Sequence, residues 1–166
     1  MSREFYGKYR GIVTDIQDPL MLGRIKAKVP EVLGDDESGW ALPCLPFGGS
    51  QMGFFALPDV GSGVWMEFEH GDPDYPVWAG SWIGSKSDMP SGLTSPPYKK
   101  TMLMTKAGHS ITLDDSSGAG GITLQTAGGQ KITLTSQGIE IDNGNGALIK
   151  LSGNQVSVND GALEVV

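Results

Sequence analysis

The sequence predicts an all-β protein in two parts: a small antiparallel barrel, then a β-ladder that three copies must wind into one needle. Three observations carry this. The last third repeats short triplets with a polar residue between two apolar ones, the period-2 pattern of a strand with one apolar face. All 13 aromatic residues, all 10 prolines and the sole cysteine lie at or before Tyr98. Before Tyr98, short alternating segments are separated by Gly/Pro-rich corners, without helical periodicity. The expected divisions are residues 1–84 for the barrel, 85–108 for a linker and needle entry, and 109–166 for the needle.

The barrel strands come in order. Residues 9–16 alternate well enough for a first strand, and Asp18-Pro19-Leu20 turns the chain. Residues 23–29 form a second strand, with Ile25, Ala27 and Val29 on one face and Arg24, Lys26 and Lys28 on the other. Pro30 ends it, and an acidic loop with Asp35, Asp36 and Glu37 follows. Residues 40–43 resume extended chain, and residues 44–53 read as loop, with Cys44 a small buried residue. Val64, Met66 and Phe68 mark the clearest strand, and residues 76–82 the last, after a turn at 70–74. Five strands with tight corners suit a barrel of the oligonucleotide/oligosaccharide-binding (OB) type.

Several pieces of this region occur in one order: Gly11-Ile12-Val13, Asp18-Pro19, Gly23-Arg24-Ile25-Lys26, Trp40-Ala41, Pro58-Asp59-Val60-Gly61, Val64, Phe68, and residues 71–77 (GDPDYPV). In these the chain resembles the barrel of central spike proteins of contractile injection systems. Those are the phage baseplate assembly protein V, the VgrG spikes of type VI secretion and the spikes of phage-tail-like particles. Residues 108–115 (GHSITLDD) resemble the start of that family's C-terminal β-helix.

Residues 85–97 are linker by composition, with three prolines and four serines, and Met102, Leu103 and Met104 read as a packing plug at the needle entry. The triplet residues are Ile111, Leu113, Ile122, Leu124, Ile132, Leu134, Ile139, Ile141, Ile149, Leu151, Val156, Val158, Leu163 and Val165. The steps between triplets run 11, 10, 7, 10, 7 and 7 residues, filled with Gly, Asn, Asp and Ser. One copy has one apolar face per strand and no ring to close a sandwich over it. A single-chain solenoid needs rungs of roughly 20 residues with several inward faces. Three copies about one axis solve this, each layer bringing one strand per chain and pointing these aliphatics inward. Folding and trimerisation are then inseparable.

The charge is −7, with seven basic and thirteen acidic side chains in residues 1–98 and five and six beyond. That disfavours nucleic acid, where Lys and Arg neutralise phosphate. No apolar run approaches 18 residues and no signal-type segment opens the chain, so neither a membrane span nor secretory export is expected. The acidic clusters (Asp35, Asp36 and Glu37; Asp72 and Asp74; Asp114 and Asp115) fall in turns, and neither His70 nor His109 lies in a nucleophile motif. No catalytic residue, cofactor or metal is assigned.

The resemblance implies a non-enzymatic homotrimeric spike, assembled in the cytoplasm into a baseplate or particle. Its implied partners are a hub protein, the inner tube and a PAAR-like tip protein, with the target membrane met only during puncture. Some spikes of the family end in a metal-binding His-x-His tip, and this tail has no histidine. Leu163, Val165 and Val166 would therefore dock the separate tip protein. The alternative is an OB module for nucleic acid or glycan with a trimerising tail.

Overall fold

The computed structural model describes residues 4–93, 96–118 and 120–165. The chain divides into two compact units, Met1–Asp88 and Met89–Val166, and strands dominate both.

In the first unit, β1 (Tyr9–Asp15) pairs antiparallel with β2 (Lys26–Lys28). A single helical turn, α1 (Pro30–Leu33), follows where the sequence gives only a strand stop and a loop. Proline at its first position has the φ a helix start requires and lacks an N–H that would go unused there. Next come the two-residue strand β3 (Leu42–Pro43) and a small ribbon of β4 (Gly48–Gly49) and β5 (Met52–Gly53), lying within the segment that reads as loop. Then β6 (Gly63–Phe68) and β7 (Pro76–Trp82) pair antiparallel, and a 3-10 turn at Glu69–Gly71 separates them. The sheet order is β2-β1-β6-β7-β3, with only β3 parallel to its neighbour. Ile25 and Ala41 exchange backbone hydrogen bonds of 3.2 and 2.8 Å, which ties the β2 edge to the β3 edge and curls the sheet on itself.

That curl encloses the core of Val13, Ile25, Ala27, Val29, Ala41, Val64, Met66, Phe68 and Trp78, each at most 7 % exposed. The alternations at Ile25/Ala27/Val29 and Val64/Met66/Phe68 both point inward, because one pleat face meets the curl's interior. Tyr9 and Phe5 pack their rings against Phe68 at centroid distances of 5.8 and 6.4 Å. Cys44 is exposed, not buried. It lies past the end of β3, where its N–H still donates to the Trp78 carbonyl at 2.9 Å while the thiol is left at the surface.

The second unit is one eight-stranded antiparallel sheet in sequence order. Its strands are β8 (Lys100–Met104), β9 (Ser110–Asp114), β10 (Gly121–Gln125), β11 (Lys131–Thr135), β12 (Gly138–Asp142), β13 (Leu148–Ser152), β14 (Gln155–Val158) and β15 (Leu163–Val165). Met102–Met104 forms part of the first rung, with Leu103 opposite Ile111 and Met102 opposite Thr112. Eight strands about 4.8 Å apart span roughly 33 Å from first to last.

Candidate trimerisation face

Direct pairing without a register break stacks the apolar residues into two columns. One runs Leu103, Ile111, Leu124, Ile132, Ile141, Ile149, Val158 and Leu163. The other starts at Thr101 and runs Leu113, Ile122, Leu134, Ile139, Leu151, Val156 and Val165. The structure therefore gathers all fourteen triplet residues on one face. The eleven from Ile111 to Val156 are 37–44 % exposed and Leu163 and Val165 are 60 % exposed, whereas Val158 is half-buried. Val166 lies outside the described residues.

A face of this kind costs a lone chain free energy, because contiguous aliphatic side chains remain in water. Burying one leucine or isoleucine fully yields about 1.5–3 kcal/mol, and this face carries more than a dozen half-exposed aliphatics.

The opposite face has different chemistry. Its central column is Met102, Thr112, Thr123, Thr133, Glu140, Lys150 and Ser157. Cross-strand ion pairs lace it: Lys100 to Asp114 at 3.4 Å, and Lys131 to Glu140 and Asp142 at 3.7 and 3.6 Å. Lys150 reaches Asp160 at 2.7 Å, and that carboxylate raises the ammonium's pKa. Hydrogen bonds from Ser116 hold the Asp114 carboxyl below its ordinary value, opposed by burial and with a lesser contribution from Lys100. Sequence alternation alone locates both faces, but it does not say that charges pair between neighbouring strands.

The connections differ at the two sheet edges. Beside the Ile132 column they are four or five residues long: 105–109, 126–130, 143–147 and 159–162. At the other edge, 136–137 and 153–154 are two-residue turns, and only the β9–β10 connection is longer. The five-residue connections give the steps of 10 and the two-residue turns give steps of 7, while the β9–β10 connection gives the step of 11 and the shorter 159–162 gives the last step of 7. A groove of about 870 Å³ runs beside the Ile132 column, walled by the long connections.

In the barrel, the chain's own cations take up the outward tryptophan rings. Arg10 lies 5.9 Å from the Trp65 ring centroid and 5.4 Å from that of Trp82, and Arg24 and Lys26 lie 5.7 and 5.2 Å from that of Trp40. Trp78 is buried and donates through Nε1 to the Gly23 carbonyl at 3.1 Å. At these three tryptophans a base or sugar must displace a cation before it can stack, whereas Phe47, Phe55 and Tyr75 stand exposed elsewhere on the unit. Among the described residues, no group of three or more His, Cys, Asp or Glu is placed to hold a metal ion, and no helix is long and apolar enough to cross a membrane. His70 lies in the turn before β7, and His109 accepts the Ala127 N–H on Nδ1 at 3.3 Å.

Comparison with known proteins matches both units. Residues 9–82 fit the type VI secretion system/phage-baseplate injector OB domain, and residues 100–164 fit the phage baseplate V C-terminal trimerisation domain. The actin cross-linking toxin VgrG1 of Vibrio cholerae serotype O1 is 36 % identical over 89 residues, covering 51 % of this chain and 8 % of the toxin. The type VI secretion system spike protein VgrG3 of the same species is 30 % identical over 112 residues, covering 61 % of this chain and 11 % of that protein. The chain thus spans about a tenth of the length of these relatives.

Proposed function

This chain belongs to the phage-baseplate and type VI secretion injector spike family, and from that premise we propose that it is the homotrimeric, non-enzymatic central spike of a contractile machine. The observation carrying this reading is the two-column aliphatic face, exposed in one copy and lying within the matched trimerisation domain. Three such sheets facing one axis bury all fourteen triplet residues and leave the ion-paired faces in water. Aliphatics without rings suit a narrow interior, since six side chains must share each layer.

The barrel is the attachment module for the baseplate hub and inner tube, and the ladder is the puncturing needle. Assembly takes place in the cytoplasm of the producing cell, and the spike then leaves with the particle or enters the target. A PAAR-like tip protein caps the last rung at Leu163 and Val165. The work is mechanical: sheath contraction drives a stiff, narrow body through the envelope. The nucleic-acid or glycan reading is weaker, because the charge is −7 and the chain's own cations lie over Trp40, Trp65 and Trp82.

Native mass spectrometry tests the trimer. The expected species is three times the 17.5 kDa chain at micromolar concentration, and a folded, soluble monomer sinks the reading. Complementing a strain that lacks this gene tests the spike role, with contractile particles restored only by trimer-competent chain. Hydrolysis of peptidoglycan by the purified trimer would overturn the non-enzymatic part.

A further inference from the structure

The two edges of the ladder are unlike, and a three-fold assembly makes that difference meaningful. A cyclic trimer uses a heterologous contact, in which one patch of a copy meets a different patch of the next. Here the candidate patches are the long-connection edge with its groove and the short-turn edge.

The long connections form a continuous wall. Three of them close alike: the N–H of Thr105, Thr126 and Asn143 donates to the carbonyl four residues on, at 2.9, 2.9 and 3.0 Å. They also stack. The Ala127 N–H reaches His109 in the connection before it, and a Cβ on Gly144 would lie 3.1 Å from the backbone carbon of Gly129. The groove between this wall and the Ile132 column is apolar along its floor and has no occupant within the chain. At the opposite edge the two-residue turns leave the Leu134 column with no comparable wall.

Resting on the trimer reading, we infer that each face of the needle is one chain's unshared sheet, and that the groove of each copy seats the short-turn edge of the next. The occupant is a second copy of this chain. Its Leu134 column supplies the aliphatic complement to the groove floor, and β8 to β15 already pair wholly within one chain, which leaves no rung for a strand from another. The three corners of the needle are then identical clasps.

The test places cysteines at the two ends of β11, as Gln130→Cys with Gln137→Cys, in full-length chain carrying Cys44→Ser. Within one chain these positions are roughly 20 Å apart, too far for a disulfide or a short bismaleimide. The inference predicts a covalent trimer on denaturing gels after treatment with a short bismaleimide, and no linkage from either single variant. A native trimer that links through a single variant, like end to like end, overturns the clasp. A second pair, Thr123→Cys with Thr133→Cys, sits directly across β10 and β11 on the outer face. It should close inside one chain, consuming its thiols while the protein runs as a monomer under denaturing conditions. Covalent oligomers from this pair mean shared faces and overturn the inference. A monomer on native mass spectrometry defeats the trimer reading itself, separately from the clasp.

Discussion

Arg24 grips one carboxylate oxygen of Asp18 with two nitrogens, Nε at 3.0 Å and Nη2 at 2.6 Å. The same carboxylate accepts the backbone N–H groups of Leu20, Leu22 and Arg24 at 3.0, 2.8 and 3.2 Å. Five hydrogen bonds thus fix the β1–β2 connection, in which Leu20, Met21 and Leu22 stand exposed and Met21 adopts a left-handed φ of 54°. Removing the carboxylate releases two guanidinium N–H and three backbone N–H groups together. Asp18→Ala should lower the melting midpoint of the barrel by roughly 5 °C or more, whereas Lys8→Met, which breaks the exposed pair with Glu67, should barely move it. Differential scanning calorimetry on both variants decides this.

The same contact sets an acid response. The Arg24 hydrogen bond holds the Asp18 carboxyl well below the usual carboxylate range, against the opposing effect of desolvation and with help from the three N–H groups. A depressed folded pKa gives stability that is complete above the unfolded value of about 3.9 and lost as pH falls through the folded value. Thermal melts from pH 7 to pH 2 should show wild type losing stability below about pH 4, with a flatter profile for Asp18→Asn. Parallel profiles would refute the assignment.

Ile132 and Thr123 lie on opposite faces of neighbouring strands. Ile132→Asp puts three carboxylates into the closed interior, where an unpaired charge is costly, and should abolish the trimer at micromolar concentration. Thr123→Lys changes the water-facing side between Thr112 and Thr133 and should leave oligomeric mass unchanged. Light scattering on the two variants separates the faces.

Gly138 begins β12 with a φ of 139°, and a Cβ there would lie 2.0 Å from the Leu151 carbonyl oxygen. Backbone cannot yield as a flexible side chain can. Gly138→Ala should cost about 1–3 kcal/mol, measured by denaturant unfolding, whereas Gly48→Ala meets nothing within 4 Å and should be close to neutral.

The last rung has one free edge, and both of its aliphatics are 60 % exposed. Removing residues 165–166 should leave the trimer intact and abolish capture of a PAAR-like tip protein in a pull-down. Undiminished capture would refute docking at this end.

The barrel core and the ladder's two faces were legible because they depend on period-2 alternation, which Ile25/Ala27/Val29 and the Ile-Thr-Leu triplets display plainly. β8 was hidden because methionines flank Leu103 on both sides, so apolar and polar residues do not alternate there. Cys44 misled for a similar reason: it stands between a proline and a leucine, and only its place beyond the end of β3 turns the thiol outward. The Asp18–Arg24 pair spans a turn six residues apart, a separation at which no periodic rule links a carboxylate to a guanidinium. Loop lengths were visible as uneven steps, but their assignment to opposite edges required the pairing of the strands.

Strand-to-strand hydrogen bonds in the ladder run across the strands, along the direction in which the eight rungs are stacked. A load along that direction meets the rungs in series. Pushed together, neighbouring strands are already near their closest approach and pass the load on as a column would. Pulled apart, they open one rung at a time, each rupture requiring only a few hydrogen bonds to yield. The sheet geometry therefore favours a strut over a tether, stiff under compression along the stack and weak under tension.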